Sequence, residues 1–150
     1  MKKFRFLKSE IMKNNLLIKE DGYICNGIVA LKEKYVLVNK NLNVDFVTLL
    51  EMAEINKMLL NPKWKTIIDV LEINNNLELK EVEILENELS KIFYTIKIEN
   101  REIRMYKHDI DKILSIDANI KLCYDKKSKY SDKLYIMLNN EIIGNICGSY

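Results

Sequence analysis

Leu134-Tyr135-Ile136-Met137-Leu138-Asn139-Asn140-Glu141-Ile142-Ile143-Gly144-Asn145-Ile146-Cys147 reads as two short apolar runs separated by an Asn-Asn step. Each run has the length of a strand rather than of a helix. Asparagine is a turn residue because its side chain bonds locally and it tolerates left-handed backbone. The stretch therefore predicts two strands, Leu134–Leu138 and Ile142–Cys147, joined by a tight turn. Upstream, Ile120–Tyr124 predicts a third strand of the same kind.

The pattern continues toward the N-terminus. Asp109–Ile116 carries Ile110, Ile113 and Leu114 as one apolar stripe, the signature of a short helix. Ile92–Ile98 and Ile103–Tyr106 flank Glu99-Asn100-Arg101-Glu102 and predict a hairpin. Leu77–Leu85 alternates with a break at Lys80-Glu81, a pattern that fits strand or helix. Thr66–Ile73 is rich in β-branched residues and predicts a strand ending at the Asn74-Asn75-Asn76 turn.

Asn41–Leu60 has the strongest helical spacing, with Phe46, Leu49, Leu50 and Ala53 on one face. Asn43 suits its N-cap, and Asn61-Pro62 ends it. Phe4, Leu7 and Ile11 predict a further helix over Phe4–Asn14, with a short strand as the alternative. Asp21-Gly22 is a hairpin signal between Leu16-Leu17-Ile18 and Tyr23–Leu31, and Tyr35–Val38 extends that meander. Strands and helices do not alternate regularly, which argues against a doubly wound parallel sheet. The fold class expected is α+β, a mainly antiparallel sheet with about three helices, in a single domain over 1–150.

Composition sets the outer limits. With 48% apolar and 31% charged residues, the 150-residue chain has the make-up of a folded protein. No stretch approaches the roughly 18 apolar residues of a membrane span, and Met1–Lys8 lacks the apolar core of a signal peptide. Cys25, Cys123 and Cys147 are odd in number and widely spaced, which suits reduced thiols in the cytoplasm. Charge is uneven: residues 1–40 carry net +5, residues 41–90 carry −6 and residues 91–150 carry +3.

Catalytic signatures are sparse. His108 is the sole histidine, which excludes two-histidine metal motifs, and neither GxSxG nor a glycine-rich phosphate loop occurs. No metal and no cofactor are expected; His108 with the three cysteines has the donor types for zinc but not the paired spacing. One catalytic arrangement has the right order: Asp69 in a strand, then Glu78 and Lys80 in the next, with Glu51 and Glu54 on the helix before. It resembles the PD-(D/E)xK nuclease core, in which two carboxylates hold Mg²⁺ and a lysine positions water. Ile68 stands where that core has proline. Lys126-Lys127-Ser128-Lys129-Tyr130, Lys133-Leu134-Tyr135 and Arg101–Lys107 interleave cations with tyrosines, as nucleic-acid surfaces do.

Ile103–Leu114, followed by Asn119–Tyr124, Leu134–Leu138 and Ile142–Ile146, resembles a half-repeat of the bacterial and phage-type DNA sliding clamps. The N-terminal helix with the Asp21-Gly22 turn stands where the other half-repeat would be. Clamps of that family are non-enzymatic rings whose helices face DNA. The resemblance implies that Lys2, Lys3, Arg5, Lys8 and Lys13 face DNA, with Lys107 and Lys112 on the second helix. The 43–60 helix, with Asp45, Glu51 and Glu54, is additional to the clamp pattern. The ending Gly148-Ser149-Tyr150 lacks the proline usual in clamps.

Two functional expectations follow. The first is a non-catalytic, clamp-like interaction protein of DNA metabolism with a protein partner, DNA, or copies of itself, and no membrane. The second is a small inhibitor of a nucleic-acid-handling enzyme, of the kind mobile elements such as phages carry. In that case the acidic stretch Asp69–Glu88, with Glu72 and above all Glu78, Glu81, Glu83, Glu86 and Glu88, imitates phosphates.

Overall fold

A computed structural model describes residues 2–6, 17–20, 22–25, 28–37, 43–45, 77–127 and 132–147. The hairpin at the C-terminal end forms as its residues dictate. Strands β10 (Lys133–Leu138) and β11 (Glu141–Cys147) pair antiparallel around Asn139 and Asn140, which adopt φ +50° and +68°. Both central residues at positive φ is the twist-matched hairpin turn, and asparagine bears it with little strain. Asn140→Val, a β-branched residue forced into left-handed backbone, is expected to cost about 1–2 kcal/mol. Chemical denaturation of the variant beside the wild type checks this.

The hairpin lies within an eight-stranded sheet. Its other members are β1 (Leu17–Glu20), β2 (Tyr23–Cys25), β3 (Val29–Lys32), β4 (Asn43–Asp45), β5 (Leu79–Glu81) and β9 (Ile120–Asp125). The order is β4-β1-β2-β3-β11-β10-β9-β5, antiparallel except for the β1–β4 pair. A second, three-stranded antiparallel sheet joins β6 (Glu83–Glu86), β7 (Phe93–Ile98) and β8 (Arg101–Tyr106) in that order. Helix α1 (Lys107–Leu114) follows β8 directly.

The core runs through both sheets. Leu134 and Ile136 of β10, Leu122 of β9, Ile143 of β11, Ile96 of β7, Met105 of β8 and Ile110 and Ile113 of α1 belong to one buried apolar cluster. Phe4 and Phe6 join it from the N-terminal segment, where Phe4 makes a parallel bridge with Val36. On the opposite face of the large sheet the register sets Cys25, Ala30, Asn145, Tyr135 and Cys123 in one row, and all five are buried. The central strands are therefore buried on both faces, which explains why Ile142–Cys147 is almost continuously apolar rather than alternating.

The expected α+β class with about three helices is corrected. Among the described residues there are eleven strands and one α-helix, and the architecture is mostly antiparallel sheet. Helix α1 lies where the apolar stripe placed a helix. Asn43, expected to cap a helix, instead begins β4, which pairs with β1; the remainder of the 43–60 helix lies outside the described residues. Phe4, expected to open a helix with a short strand as the alternative, is held extended: its N–H donates to the Tyr35 carbonyl at 2.7 Å and its carbonyl accepts from Leu37 at 2.8 Å. Residues 7–14 and the expected strand Thr66–Ile73 lie outside the described residues.

Candidate functional site

Leu77–Leu85, open to either reading in the sequence, is extended, and it links the two sheets. Its first part, β5, pairs with β9; Val82 then donates to the Leu122 carbonyl at 2.9 Å, and the chain passes into β6. Alternation along this run decides which side chains face water. Val82 is buried and Ile84 half-buried, whereas Glu78, Glu81, Glu83, Glu86 and Glu88 are all exposed. The five expected partner-binding carboxylates are thus all solvent-exposed within one stretch of eleven residues, Glu83 and Glu86 on opposite faces of β6.

Apolar surface accompanies the charge. Four large hydrophobic residues are exposed on the described surface, and three of them, Leu85, Leu89 and Ile92, fall at the end of this segment and in the turn that follows it, Leu89 at 98% and Ile92 at 60%. Beside them, the outer face of β7–β8 carries a ledge of rings. Phe93 and Tyr106 are cross-strand partners with centroids 4.8 Å apart, Tyr106 lies 5.3 Å from His108, and the Arg104 guanidinium sits 5.5 Å over Phe93. Exposed apolar residues concentrated at one place, with tyrosine and arginine alongside, are the composition of contact surfaces.

Helix α1 braces this surface. Lys107 Nζ donates to Glu86 Oε2 at 2.5 Å and lies 5.1 Å from the Tyr94 ring centroid. The Tyr94 hydroxyl donates to Asp111 Oδ1 at 2.6 Å, and that bond to a carboxylate, with burial and the nearby charge, pushes the Tyr94 pKa up to about 12. Folding therefore favours the neutral phenol. Its contribution is complete below pH 10, where an unfolded tyrosine is also neutral, and is lost as pH rises through 10 toward 12. In an ultraviolet pH titration one tyrosine is expected to ionise about two pH units late, and Tyr94→Phe to remove that late step.

The expected DNA-facing cations are placed differently from one another. Lys2, Lys3 and Arg5 are exposed. Lys112 Nζ donates to the Arg5 carbonyl at 2.9 Å and stands 5.8 Å over the Phe4 ring, which ties the N-terminal segment to α1. Lys107 is drawn to Glu86 instead. Lys8 and Lys13 lie outside the described residues. Helix α1 itself balances Lys107 and Lys112 against Asp109 and Asp111.

Of the nuclease-like set, Asp69, Glu51 and Glu54 lie outside the described residues. Glu78 and Lys80 are exposed, and the Asp125 carboxylate accepts from the backbone N–H groups of Glu78 and Lys127. No group of three or more metal-ligating side chains occurs among the described residues. His108 Nε2 stands 3.3 Å from Asp109 Oδ1. Cys25 and Cys123 are buried and Cys147 half-buried; burial pushes the Cys123 thiol up, which makes it a poor nucleophile. A cleft of about 350 Å³ opens by the Glu99-Asn100 turn; within it the Tyr124 hydroxyl donates to Glu99 at 2.9 Å, and Arg101 donates to Asp132 outside it at 2.7 Å.

No helix among the described residues is long and apolar enough to cross a membrane. No known family model, curated protein or solved structure matches the chain.

The sequence singled out the carboxylates, Arg104 and Tyr106. It missed Leu85, Leu89, Ile92 and Phe93 as surface residues, because an apolar residue in a strand-like run is read as core. The one available signal was their position: Leu89 and Ile92 flank Ser90-Lys91, where the alternation breaks.

Proposed function

We propose that the chain is a non-catalytic interaction protein of the cytoplasm that binds a nucleic-acid-handling enzyme through residues 78–92 and inhibits it. The observation that supports this reading is the coincidence, within residues 78–92, of five exposed carboxylates with three of the four large hydrophobics exposed among the described residues. The carboxylates suit a groove built to neutralise phosphates, and the apolar residues supply the desolvated contacts that hold a complex together. Lys107 takes only the Oε2 oxygen of Glu86, so a partner can meet the other oxygen of that carboxylate as well as Glu78, Glu81, Glu83 and Glu88.

Reversing Glu81, Glu83 and Glu88 to lysine is expected to weaken partner binding by about 100-fold or more, since like charges would then meet in the groove. The measurement is capture of partners from host lysate by tagged wild type and variant, after nuclease treatment, with thermal melts confirming that both are folded. Undiminished capture by the folded variant would remove this reading.

One observation favours a second reading, a clamp-like contact with DNA. Lys2, Lys3 and Arg5 form an exposed basic segment that Lys112 fastens to α1. Such a contact requires duplex binding that weakens steeply with salt. The exposed acid Asp111, together with the pairing of Lys107 to Glu86, makes that helix a poorer DNA-facing surface than the resemblance implies.

A further inference from the structure

Among the described residues, β6 carries a neighbour on one side only, β7; its other edge carries no strand. An open edge presents a row of backbone donors and acceptors, and natural sheets guard such edges with charge or cover them. Here the guard is incomplete. Glu83 and Glu86 bracket two consecutive apolar residues, Ile84, half-buried against the core, and Leu85, which is exposed.

The occupied edge indicates what complements this strand. Across the β6–β7 pair, Lys97 stands opposite Glu83, Ile96 opposite Ile84, Thr95 opposite Leu85, and Tyr94 opposite Glu86, whose carboxylate takes its cation from Lys107. A cation opposite Glu83 and a β-branched residue opposite each apolar position follow the cross-strand rule, while Glu86 takes its cation from α1 rather than from a strand.

We propose that the edge of β6 away from β7, which carries no strand among the described residues, is a strand-addition site for an extended segment of a partner protein with the order basic, apolar, apolar, basic. This rests on the reading of residues 78–92 as the partner-binding surface and adds to it the mode of binding and the side-chain order. Backbone hydrogen bonds to the edge supply affinity, and side chains on alternate faces supply selectivity. On the outer face the added strand meets Glu83 and Leu85; on the inner face it meets Ile84 and Glu86. Glu81 and Glu88 extend the negative potential beyond both ends of the strand. That charge favours a basic peptide over a nucleic acid, whose phosphates it repels.

The test uses the full chain and a fluorescent peptide with a Lys-Ile-Val-Lys core, in three forms: unmodified, and N-methylated on one or the other alternate set of backbone amides. A strand pairs along one edge only, so one methylated set is expected to lose at least about tenfold in affinity while the other binds like the parent. No binding by the parent, or equal binding by both methylated peptides, overturns strand addition. So does displacement of the parent by a single-stranded oligonucleotide that binds the same surface. The Glu81, Glu83 and Glu88 reversal separates the two levels. A negative peptide result with native-partner capture lost in that variant overturns strand addition alone, whereas capture retained in it removes the acidic surface and the proposal with it.

Discussion

Gly144→Ala is expected to lower the unfolding free energy by about 3 kcal/mol. Gly144 stands in β11 between Ile136 of β10 and Leu31 of β3, so both of its sides are occupied by strands. The β10–β11 register shifts beside it: Ile136 pairs with Gly144 but Met137 pairs with Ile142, which leaves Ile143 as an extra residue. Such a bulge bends its strand and increases the local twist. A Cβ on Gly144 would lie 2.1 Å from the Ala30 carbonyl oxygen, 2.9 Å from Leu31 Cδ2 and 3.1 Å from the Ala30 carbonyl carbon. The leucine methyl can rotate away. The carbonyl cannot move without distorting the β3–β11 ladder, which holds the N-terminal strands to the rest of the sheet. Urea denaturation checks the prediction. A midpoint unchanged from wild type would mean that β3 approaches β11 less closely than this geometry has it.

Much of this sheet could be read from the residues because the relevant signals are local. The Asn139-Asn140 and Asp21-Gly22 turns each sit between short apolar runs, and the chain reverses at both. Helix α1 was legible for the same reason, since Ile110 and Ile113 share a face and both are buried. What was not legible depends on distant partners. Phe4, Leu7 and Ile11 have helical spacing, yet Phe4 is extended because the backbone of Tyr35 and Leu37 supplies its hydrogen bonds. Asn43 has a cap's chemistry but pairs in a sheet with Leu17, twenty-six residues earlier. Tertiary hydrogen bonding outweighs a propensity worth at most about 1 kcal/mol.

The candidate site divides along the same line. Its charges were evident because a glutamate run has few places to go but the surface. Its apolar half was hidden, because nothing in the order Leu85, Leu89, Ile92 and Phe93 says that this segment turns outward, whereas Ile84, one residue from Leu85, packs against the core. The ledge of Phe93, Tyr106 and His108 depends on the β7–β8 register, which only the formed hairpin fixes.

Ile113→Ala is expected to cost about 3–4 kcal/mol and to loosen the proposed binding surface before the large sheet. Eight residues are too few for a helix to persist alone in water, so α1 exists because its apolar stripe is buried. Ile110 and Ile113 are both wholly inaccessible and pack in the cluster that unites the two sheets. Removing three carbons from Ile113 leaves a void that neighbours on two sheets cannot close without parting from one another. The polar face of α1 then transmits the change, since Lys107 holds Glu86 of β6 and Asp111 accepts from Tyr94 of β7. Amide exchange in β6 and β7 should therefore accelerate more than in β10 and β11. Peptide or partner binding at residues 78–92 should weaken even at temperatures where the large sheet remains protected. Uniform acceleration across both sheets would instead mean that α1, β6–β8 and the large sheet open as one cooperative unit, and the binding surface would then be as stable as the core beneath it.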